Sequence, residues 1–173
     1  MATTEYEHLI RDVPDFPKPG IIFKDIMPML GDGAAFRAIV DELAEAVRDW
    51  KPDVVLGAEA RGFMFGAPLA YALGAGFVAA RKPGKLPYTT VSAKYALEYG
   101  FDALEVHIDA IKPGQRVLIC DDLLATGGTS KAKIELVERL GGVVAGLAFA
   151  IELDFLNGRE KLAGHDMVSL IHY

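Results

Sequence analysis

Two adjacent carboxylates, Asp121 and Asp122, stand between the apolar residues 117–120 and the loop 125–129, which reads Ala-Thr-Gly-Gly-Thr. An ionised carboxylate only accepts hydrogen bonds, and it can take two donors at once. Hydroxyl groups meet that requirement, whereas a ligand made of phosphate alone would be repelled. We therefore expect the acidic pair to bind a ligand that carries hydroxyls.

The loop 125–129 lies where an anion can bind. Residues 117–120 predict a strand that is buried on both faces and ends at the acidic pair, and residues 131–140 have the apolar spacing of a helix. At such a junction free backbone N–H groups and the positive end of the helix dipole point outward. Gly127 and Gly128 have no Cβ, so an anion can approach the backbone closely. Loop and carboxylates together predict a phosphorylated sugar as the ligand.

A strand-to-helix turn without a ligand is the alternative interpretation of this segment. In it, Asp122 caps the helix and the glycines only make the bend. The segment lacks both the Gly-x-x-x-x-Gly-Lys-Ser/Thr spacing of a Walker loop and the Gly-x-Gly-x-x-Gly spacing of a dinucleotide site. Neither of those two kinds of nucleotide site is predicted.

A basic segment follows another predicted strand. Residues 76–80 have the pattern of a strand, and Arg81, Lys82 and Lys85 come directly after it. A run of cations is usually a solvated turn. However, parallel strands present their carboxyl ends at one edge of the sheet, so these cations are expected at the same edge as the loop 125–129. A role in binding phosphate is therefore favoured.

The surrounding elements predict an α/β fold. Strand and helix patterns alternate over residues 54–153, which implies a central, mainly parallel sheet with right-handed crossovers and helices on both faces. Residues 95–108 alternate with period two on both sides of a short turn, which predicts an inserted antiparallel hairpin. This hairpin is either a lid over the ligand or an extra ribbon at the sheet edge.

Two N-terminal segments add to this prediction. Residues 12–20 contain three prolines and a glycine and are expected to be extended. The apolar residues 21–23 can be a strand, part of the core or the wall of a pocket, and composition favours the core. Asp32 is expected to cap a helix with one buried stripe. The stripe consists of Phe36, Ile39, Val40, Leu43, Val47 and Trp50.

Composition limits the class of protein. With 173 residues, 51% of them hydrophobic and 24% charged, the chain suits one globular domain, and a net charge of −6 argues against nucleic acid or an anionic membrane as a partner. Cys120 is the only cysteine, so a reducing cytoplasm is expected. The chain shows no leader pattern and no apolar run of bilayer length, so export and membrane insertion are not expected. The scattered histidines predict no zinc site.

Five segments, in order, resemble the adenine-specific branch of the type I phosphoribosyltransferase family. They are FPKPGIIFKDI (16–26), RGF (61–63), RKPGKLP (81–87), YALEYG (95–100) and DDLLATGGT (121–129), and GREKL (158–162) extends the likeness. The resemblance implies one domain over residues 1–173 with the type I phosphoribosyltransferase fold. It also implies an N-terminal hood at about residues 1–30 and a flap at about residues 82–110.

The resemblance implies an activity as well. Members of this branch transfer phosphoribose from 5-phosphoribosyl 1-diphosphate to N9 of adenine, giving AMP and diphosphate. They use Mg²⁺, which we expect the substrate to hold more than the protein, and they commonly work as homodimers. Two alternatives stay open: a same-fold enzyme for another base, and a regulator without activity that senses the donor or purines.

The resemblance also implies residue roles around the donor. The backbone of Ala125, Thr126, Gly127, Gly128 and Thr129 is expected to hold the 5′-phosphate, and Asp121 and Asp122 the ribose hydroxyls. The expected diphosphate contacts are Arg61, Arg81, Lys82 and Lys85, some of them from a neighbouring subunit. Glu59-Ala60 precedes Arg61 where relatives often carry Asp-Ser, a departure that bears on diphosphate affinity.

The remaining roles concern the base and the chemistry. Adenine is expected against Ile22, Phe23 and Lys24, with Phe23 on its ring. Glu98 and Tyr99 belong to the flap, where Tyr99 is expected to contact the donor and Glu98 to handle the purine proton. Together with Glu98, the expected catalytic residues are Arg61 and Asp122. They would stabilise the negative diphosphate and the positive ribose that form as the C1′–O bond breaks.

Overall fold

The computed structural model describes residues 3–96 and 101–173, and its N-terminal part carries a small antiparallel sheet. The elements here are a 3-10 helix (Thr3–Leu9), β1 (Arg11–Pro14), β2 (Ile22–Asp25), α1 (Met27–Gly31) and α2 (Gly33–Val47). β1 and β2 pair with Val13 opposite Phe23. They form a two-stranded ribbon outside the main sheet.

A parallel sheet forms the centre of the fold. The elements that build and surround it are β3 (Val54–Ala58), α3 (Arg61–Leu73), β4 (Gly76–Ala80), β5 (Thr90–Ala96), β6 (Phe101–His107), β7 (Arg116–Leu124), α4 (Gly128–Arg139), β8 (Val143–Glu152) and β9 (Met167–His172). The strand order is β4-β3-β7-β8-β9, and every neighbouring pair is parallel. This confirms the predicted fold class. It also places β7, with the acidic pair, in the middle of the sheet.

The two faces of β7 belong to two separate cores. Val117 and Ile119 pack into the layer that contains α4, whereas Leu118 and Cys120 pack into the layer that contains α2 and α3. All four side chains are fully buried. Burial on both faces explains why the strand reads as a continuous apolar run rather than as an alternating one.

Helix α2 begins at the predicted cap. The Asp32 carboxylate accepts hydrogen bonds from the backbone N–H groups of Ala34 and Ala35, each at 2.9 Å. Ile39 and Leu43 lie on the buried stripe, as expected from their spacing. No helix within residues 3–96 and 101–173 is both long enough and apolar enough to span a bilayer.

A hairpin is present as β5 and β6, which pair antiparallel, but β5 begins at Thr90 rather than at the predicted residue 95. Its base is fixed, because Ala93, Leu104 and Val106 are buried in the same core as α4. Backbone hydrogen bonds in both directions between Arg81 and Glu105 join the hairpin to the end of β4. Residues 97–100, between β5 and β6, lie outside the described residues.

The structure corrects two expectations about local structure. β7 does not end at the acidic pair: it continues to Leu124, because its pairing with β8 extends to Leu124 opposite Glu152. The expectation that residues 21–23 belong to the core is wrong, since Ile21 is 37% exposed and Ile22 is 58% exposed on the N-terminal ribbon. Composition alone does not distinguish a core strand from an exposed apolar ribbon.

Replacing Asp32 with alanine should lower the free energy of unfolding by about 1 kcal/mol, because two backbone N–H groups lose their acceptor. Urea denaturation followed by circular dichroism measures this change. Asp49→Ala, at an exposed acid in the turn after α2, is the matched control. An equal loss in both variants would mean that the cap itself is not the cause.

Candidate functional site

The loop between β7 and α4 has the geometry of an anion site. α4 begins at Gly128, and its N-cap is Gly127, which has a φ of 77° and offers no side-chain cap. The first N–H groups of the helix are therefore not satisfied by a capping side chain. The alternative in which Asp122 caps this helix is wrong, because Asp122 lies within β7.

A cavity of about 220 Å³ opens beside this loop. Its wall brings together side chains and backbone that the sequence placed far apart. The lining consists of Arg61 from the start of α3, Asp121 and Asp122 from β7, and residues 123–130. The acidic pair, the loop and one predicted cation therefore meet in one place.

Asp121 is held by a lysine that sequence reasoning missed. The Nζ of Lys133, on α4, donates to Asp121 Oδ2 at 2.6 Å, and the Lys133 side chain is fully buried. A buried ammonium requires such a partner. The sequence spacing could have indicated this burial, because Lys133 stands four residues before Val137 and therefore lies on the same, buried side of α4.

Asp122 contacts a different helix and keeps one acceptor open. Its Oδ2 lies 2.9 Å from Arg61 Nε, but this buried atom receives no aligned hydrogen bond. Asp122 is 4% exposed. Burial, and next the charge of Asp121, raise the pKa of Asp122 well above its usual range, although Arg61 opposes them. The site thus contains a buried carboxylate oxygen that is ready to accept a donor.

The basic segment after β4 is present, and two of its cations, Arg81 and Lys82, are paired with carboxylates. Arg81 Nε donates to Glu59 Oε2 at 2.6 Å, and Lys82 Nζ lies 3.1 Å from Asp102 Oδ2. Arg81 also donates to the backbone oxygen of Lys85 at 3.1 Å. Burial acts to raise the pKa of Glu59, but hydrogen bonds and the charge of Arg81 outweigh it, so the pKa is lowered. Glu59 is thus a charged group that would compete with an anionic ligand for Arg81.

The N-terminal ribbon reaches the cavity through an aromatic ring. The guanidinium carbon of Arg61 lies 4.9 Å from the centre of the Phe23 ring, which Phe16 meets edge-on at 5.1 Å. Lys24 points elsewhere: its Nζ lies 2.7 Å from Asp12 and 3.5 Å from the centre of the Tyr173 ring. The Phe23 side chain, unlike the ammonium group of Lys24, is thus directed at a residue of the cavity wall.

The hairpin reaches the loop 125–129 at Tyr95. Glu98 and Tyr99, the predicted flap residues, lie outside the described residues. Tyr95, which sequence reasoning did not select, lies beside Thr129 and Asp102. Burial, followed by the charge of Asp102, raises the pKa of Tyr95 to about 12, so its hydroxyl stays protonated. Tyr95 therefore links the hairpin to the end of the loop.

The phosphoribosyl transferase domain family matches residues 29–168 of this chain. An adenine phosphoribosyltransferase of Desulfitobacterium hafniense is 59% identical over 173 residues and covers both chains completely. One from Rubrobacter xylanophilus is 61% identical over 165 residues, which are 95% of this chain and 89% of that protein.

Solved structures of similar proteins match the fold. The adenine phosphoribosyltransferase of Thermoanaerobacter pseudethanolicus has a TM-score of 0.97 and 56% identity, over 99% of this chain and all of that one. The one from Saccharomyces cerevisiae, solved with D-2,5-dideoxy-2,5-imino-altritol 1,6-bisphosphate and adenine, has a TM-score of 0.91 and 41% identity over 97% of each chain. The similarity therefore extends over the whole fold.

Asp122→Asn should remove a pH dependence of stability. The raised pKa means that folded Asp122 keeps a proton that the unfolded chain has released. The stability that this group contributes is therefore complete below about pH 4 and is lost as the pH rises towards neutrality. Relative to Asp122→Asn, the wild-type free energy of unfolding should fall by up to about 1.4 kcal/mol per pH unit in that range.

Urea unfolding at a series of pH values measures this difference. Asp49→Asn changes an exposed acid and should keep the wild-type dependence. Parallel curves for wild type and Asp122→Asn would show that Asp122 titrates as an ordinary carboxyl group.

Proposed function

The chain belongs to the adenine phosphoribosyltransferase family, and we propose that the cavity beside β7 is where it joins phosphoribose from 5-phosphoribosyl 1-diphosphate to adenine. The observation that carries this assignment is the buried Oδ2 of Asp122, an acceptor without a donor beside an open helix terminus. A ribose hydroxyl supplies the missing donor, and the 5′-phosphate accepts from the N–H groups of residues 125–129. AMP and diphosphate are the products of this reaction.

The charges of the cavity suit the transition state of this transfer. As the bond from C1′ to the diphosphate oxygen breaks and the bond to N9 forms, positive charge grows on the ribose and negative charge on the leaving group. We propose that Asp121 and Asp122 stabilise the ribose and that Arg61 stabilises the diphosphate. Arg61 Nε also lies 2.9 Å from Asp122 Oδ2. One side chain would therefore contact both the carboxylate beside the ribose and the leaving diphosphate.

Binding of diphosphate requires two cations to change partners. Arg81 and Lys82 are paired with Glu59 and Asp102. We propose that the diphosphate displaces these carboxylates, and that Lys85 joins the same contact. Charge-assisted hydrogen bonds to a phosphate that carries more than one charge are strong enough to replace a partly exposed ion pair.

We propose that Mg²⁺ enters bound to the donor, where it neutralises part of the diphosphate charge. At the cavity, both carboxylates already face a cation, Asp121 with Lys133 and Asp122 with Arg61. Within residues 3–96 and 101–173, the residues that could form a metal cluster are Glu152, Asp154 and His172. Since Glu152 pairs with Arg159, and His172 with Asp154, substrate oxygens and water fit Mg²⁺ better.

Adenine fits between the N-terminal ribbon and the cavity. We propose that the ring stacks on Phe23 and that the backbone around Ile22 and Lys24 binds its edge. Glu98 is proposed to handle the purine proton, and Tyr99 to contact the donor as the distal hairpin closes. Closure would keep water from the activated sugar, which would otherwise hydrolyse the donor.

A homodimer and a cytoplasmic location complete the proposal. The exposed apolar side chains of Met27, Tyr71 and Phe77, at 52%, 90% and 38% exposure, offer surface that a second copy can cover. The cytoplasmic location rests on the single cysteine, Cys120. Sedimentation analysis would measure the dimer directly.

The experiment that tests the function follows diphosphate release with the donor, Mg²⁺ and one base at a time. Adenine, hypoxanthine, guanine and orotate are the bases to compare, with AMP measured separately. We expect turnover with adenine and AMP as the product. Turnover with another base would retain the donor site and overturn the adenine assignment of Ile22, Phe23 and Lys24. No turnover with any base would favour a sensor of the donor or of purines.

Asp122→Asn should reduce kcat at least about tenfold, because it removes a charge from beside the ribose at nearly constant volume. Unchanged circular dichroism would show that the fold is intact. Asp49→Asn, at an exposed site, is the control. Activity of the Asp122 variant equal to that of wild type would contradict the role of this carboxylate.

Glu59→Gln should tighten product inhibition by diphosphate, roughly threefold to tenfold, because Arg81 loses a charged competitor. Inhibition constants against the donor measure the effect. Glu45→Gln removes an exposed pair with Arg48 on α2 and should change nothing. Weaker inhibition in the Glu59 variant would mean that Glu59 orients Arg81 rather than competing for it.

A further inference from the structure

A buried carboxylate stands behind the phosphate loop, outside the reaction cavity. Glu152, the last residue of β8, is 3% exposed. Arg159 Nε lies 2.7 Å and 2.9 Å from its two oxygens. The Ser169 hydroxyl, on β9, donates to Glu152 Oε2 at 2.6 Å. These contacts tie the segment that carries Arg159 to two strands of the main sheet.

The neighbour of Arg159 touches the loop directly. Arg159 belongs to a 3-10 turn, Gly158–Leu162, and Gly158 is buried against the back of the loop. A Cβ at Gly158 would lie 2.2 Å from the backbone oxygen of Ala125, and a Cβ at Gly127 would lie 2.6 Å from the backbone oxygen of Gly158. The two backbones are in contact with no room for a side chain. Any shift of the turn therefore moves the loop.

We propose that Arg159 is a positioning residue for the 5′-phosphate of the donor. With Glu152 and Ser169 it fixes the turn Gly158–Leu162, and the turn fixes the N–H groups of residues 125–129. This inference rests on the proposed function of that loop. Backbone N–H groups that are held in place before the ligand arrives bind it without a free-energy cost of reorganisation.

A purely stabilising role is the competing explanation, and the geometry favours positioning. Glu152 is buried but the Arg159 side chain is 41% exposed, so hydration of Arg159 and desolvation of Glu152 both limit the net stability that the pair contributes. In contrast, a carboxylate with both oxygens near one guanidinium has a defined orientation. The pair also lies next to the loop, because Glu152 is opposite Leu124 in the sheet and Arg159 follows Gly158, which touches Ala125.

The test compares variants of Arg159 in the full-length enzyme. Arg159→Met alone leaves a buried charge at Glu152, so the double variant Glu152→Gln/Arg159→Met is made as well, since it removes both charges and is expected to fold. Each protein is titrated calorimetrically with ribose 5-phosphate, and KM is measured for the donor and for adenine.

We expect both variants to bind ribose 5-phosphate about tenfold more weakly and to raise KM for the donor by a similar factor. KM for adenine should rise less than KM for the donor, because Gly158 touches the loop directly, whereas Glu152 reaches the N-terminal ribbon through Tyr173, whose ring centre lies 3.5 Å from Lys24 Nζ. Arg159→Lys keeps the charge but not the two-oxygen contact, and it should recover part of the affinity. Arg48→Met, which breaks an exposed pair with Glu45, is the matched control and should behave as wild type.

The outcomes separate this inference from the proposed function. If wild type fails to bind ribose 5-phosphate, the assignment of the loop is wrong. If wild type binds it and the folded double variant binds it equally well, positioning by Arg159 is overturned and the loop assignment stands. Parallel increases in KM for the donor and for adenine would also overturn positioning, because they would indicate a general loss of structure.

Discussion

Mutual repulsion between Asp121 and Asp122 is the constraint on which the site depends. Two adjacent carboxylates at the partly buried end of a central strand each lose hydration and raise the energy of the other. Alternation along β7 gives them different partners, Lys133 on α4 and Arg61 on α3. The helices on the two faces of the sheet therefore neutralise the site as well as cover the cores.

Further ion pairs between cations and carboxylates lie beside the cavity, in the basic segment after β4. Arg81 with Glu59 and Lys82 with Asp102 hold the basic segment beside the hairpin, so its cations are already oriented. A donor with a phosphate, hydroxyls and a diphosphate offers a partner to each part of this arrangement. Under the proposed function, the hydroxyls would satisfy the open acceptor of Asp122, and the diphosphate would compete with Glu59 and Asp102. Ligand binding would then consist largely of exchanging partners among charges that are already in place.

Local pattern was sufficient for most elements of the fold. The predicted strand at residues 76–80 matches β4, because a short apolar run between turns favours a buried strand. Asp32 caps α2, because capping depends on the next few residues only. The sequence did not predict the end of β7, because the last residues of that strand depend on pairing with β8. It did not predict the exposure of Ile22 either, because hydrophobicity alone does not indicate whether another element packs on the ribbon.

The sequence by itself determined the motif of acids and small residues, the parallel fold that presents it at a sheet edge, and the family that this motif indicates. Only the tertiary structure decided the charge partners: Lys133 for Asp121, Glu59 for Arg81, and Arg159 for Glu152. Each pair joins different segments of the chain, so neither segment alone indicates the partner. Their burial and contact exist only after the segments pack, which is why no local pattern predicts them.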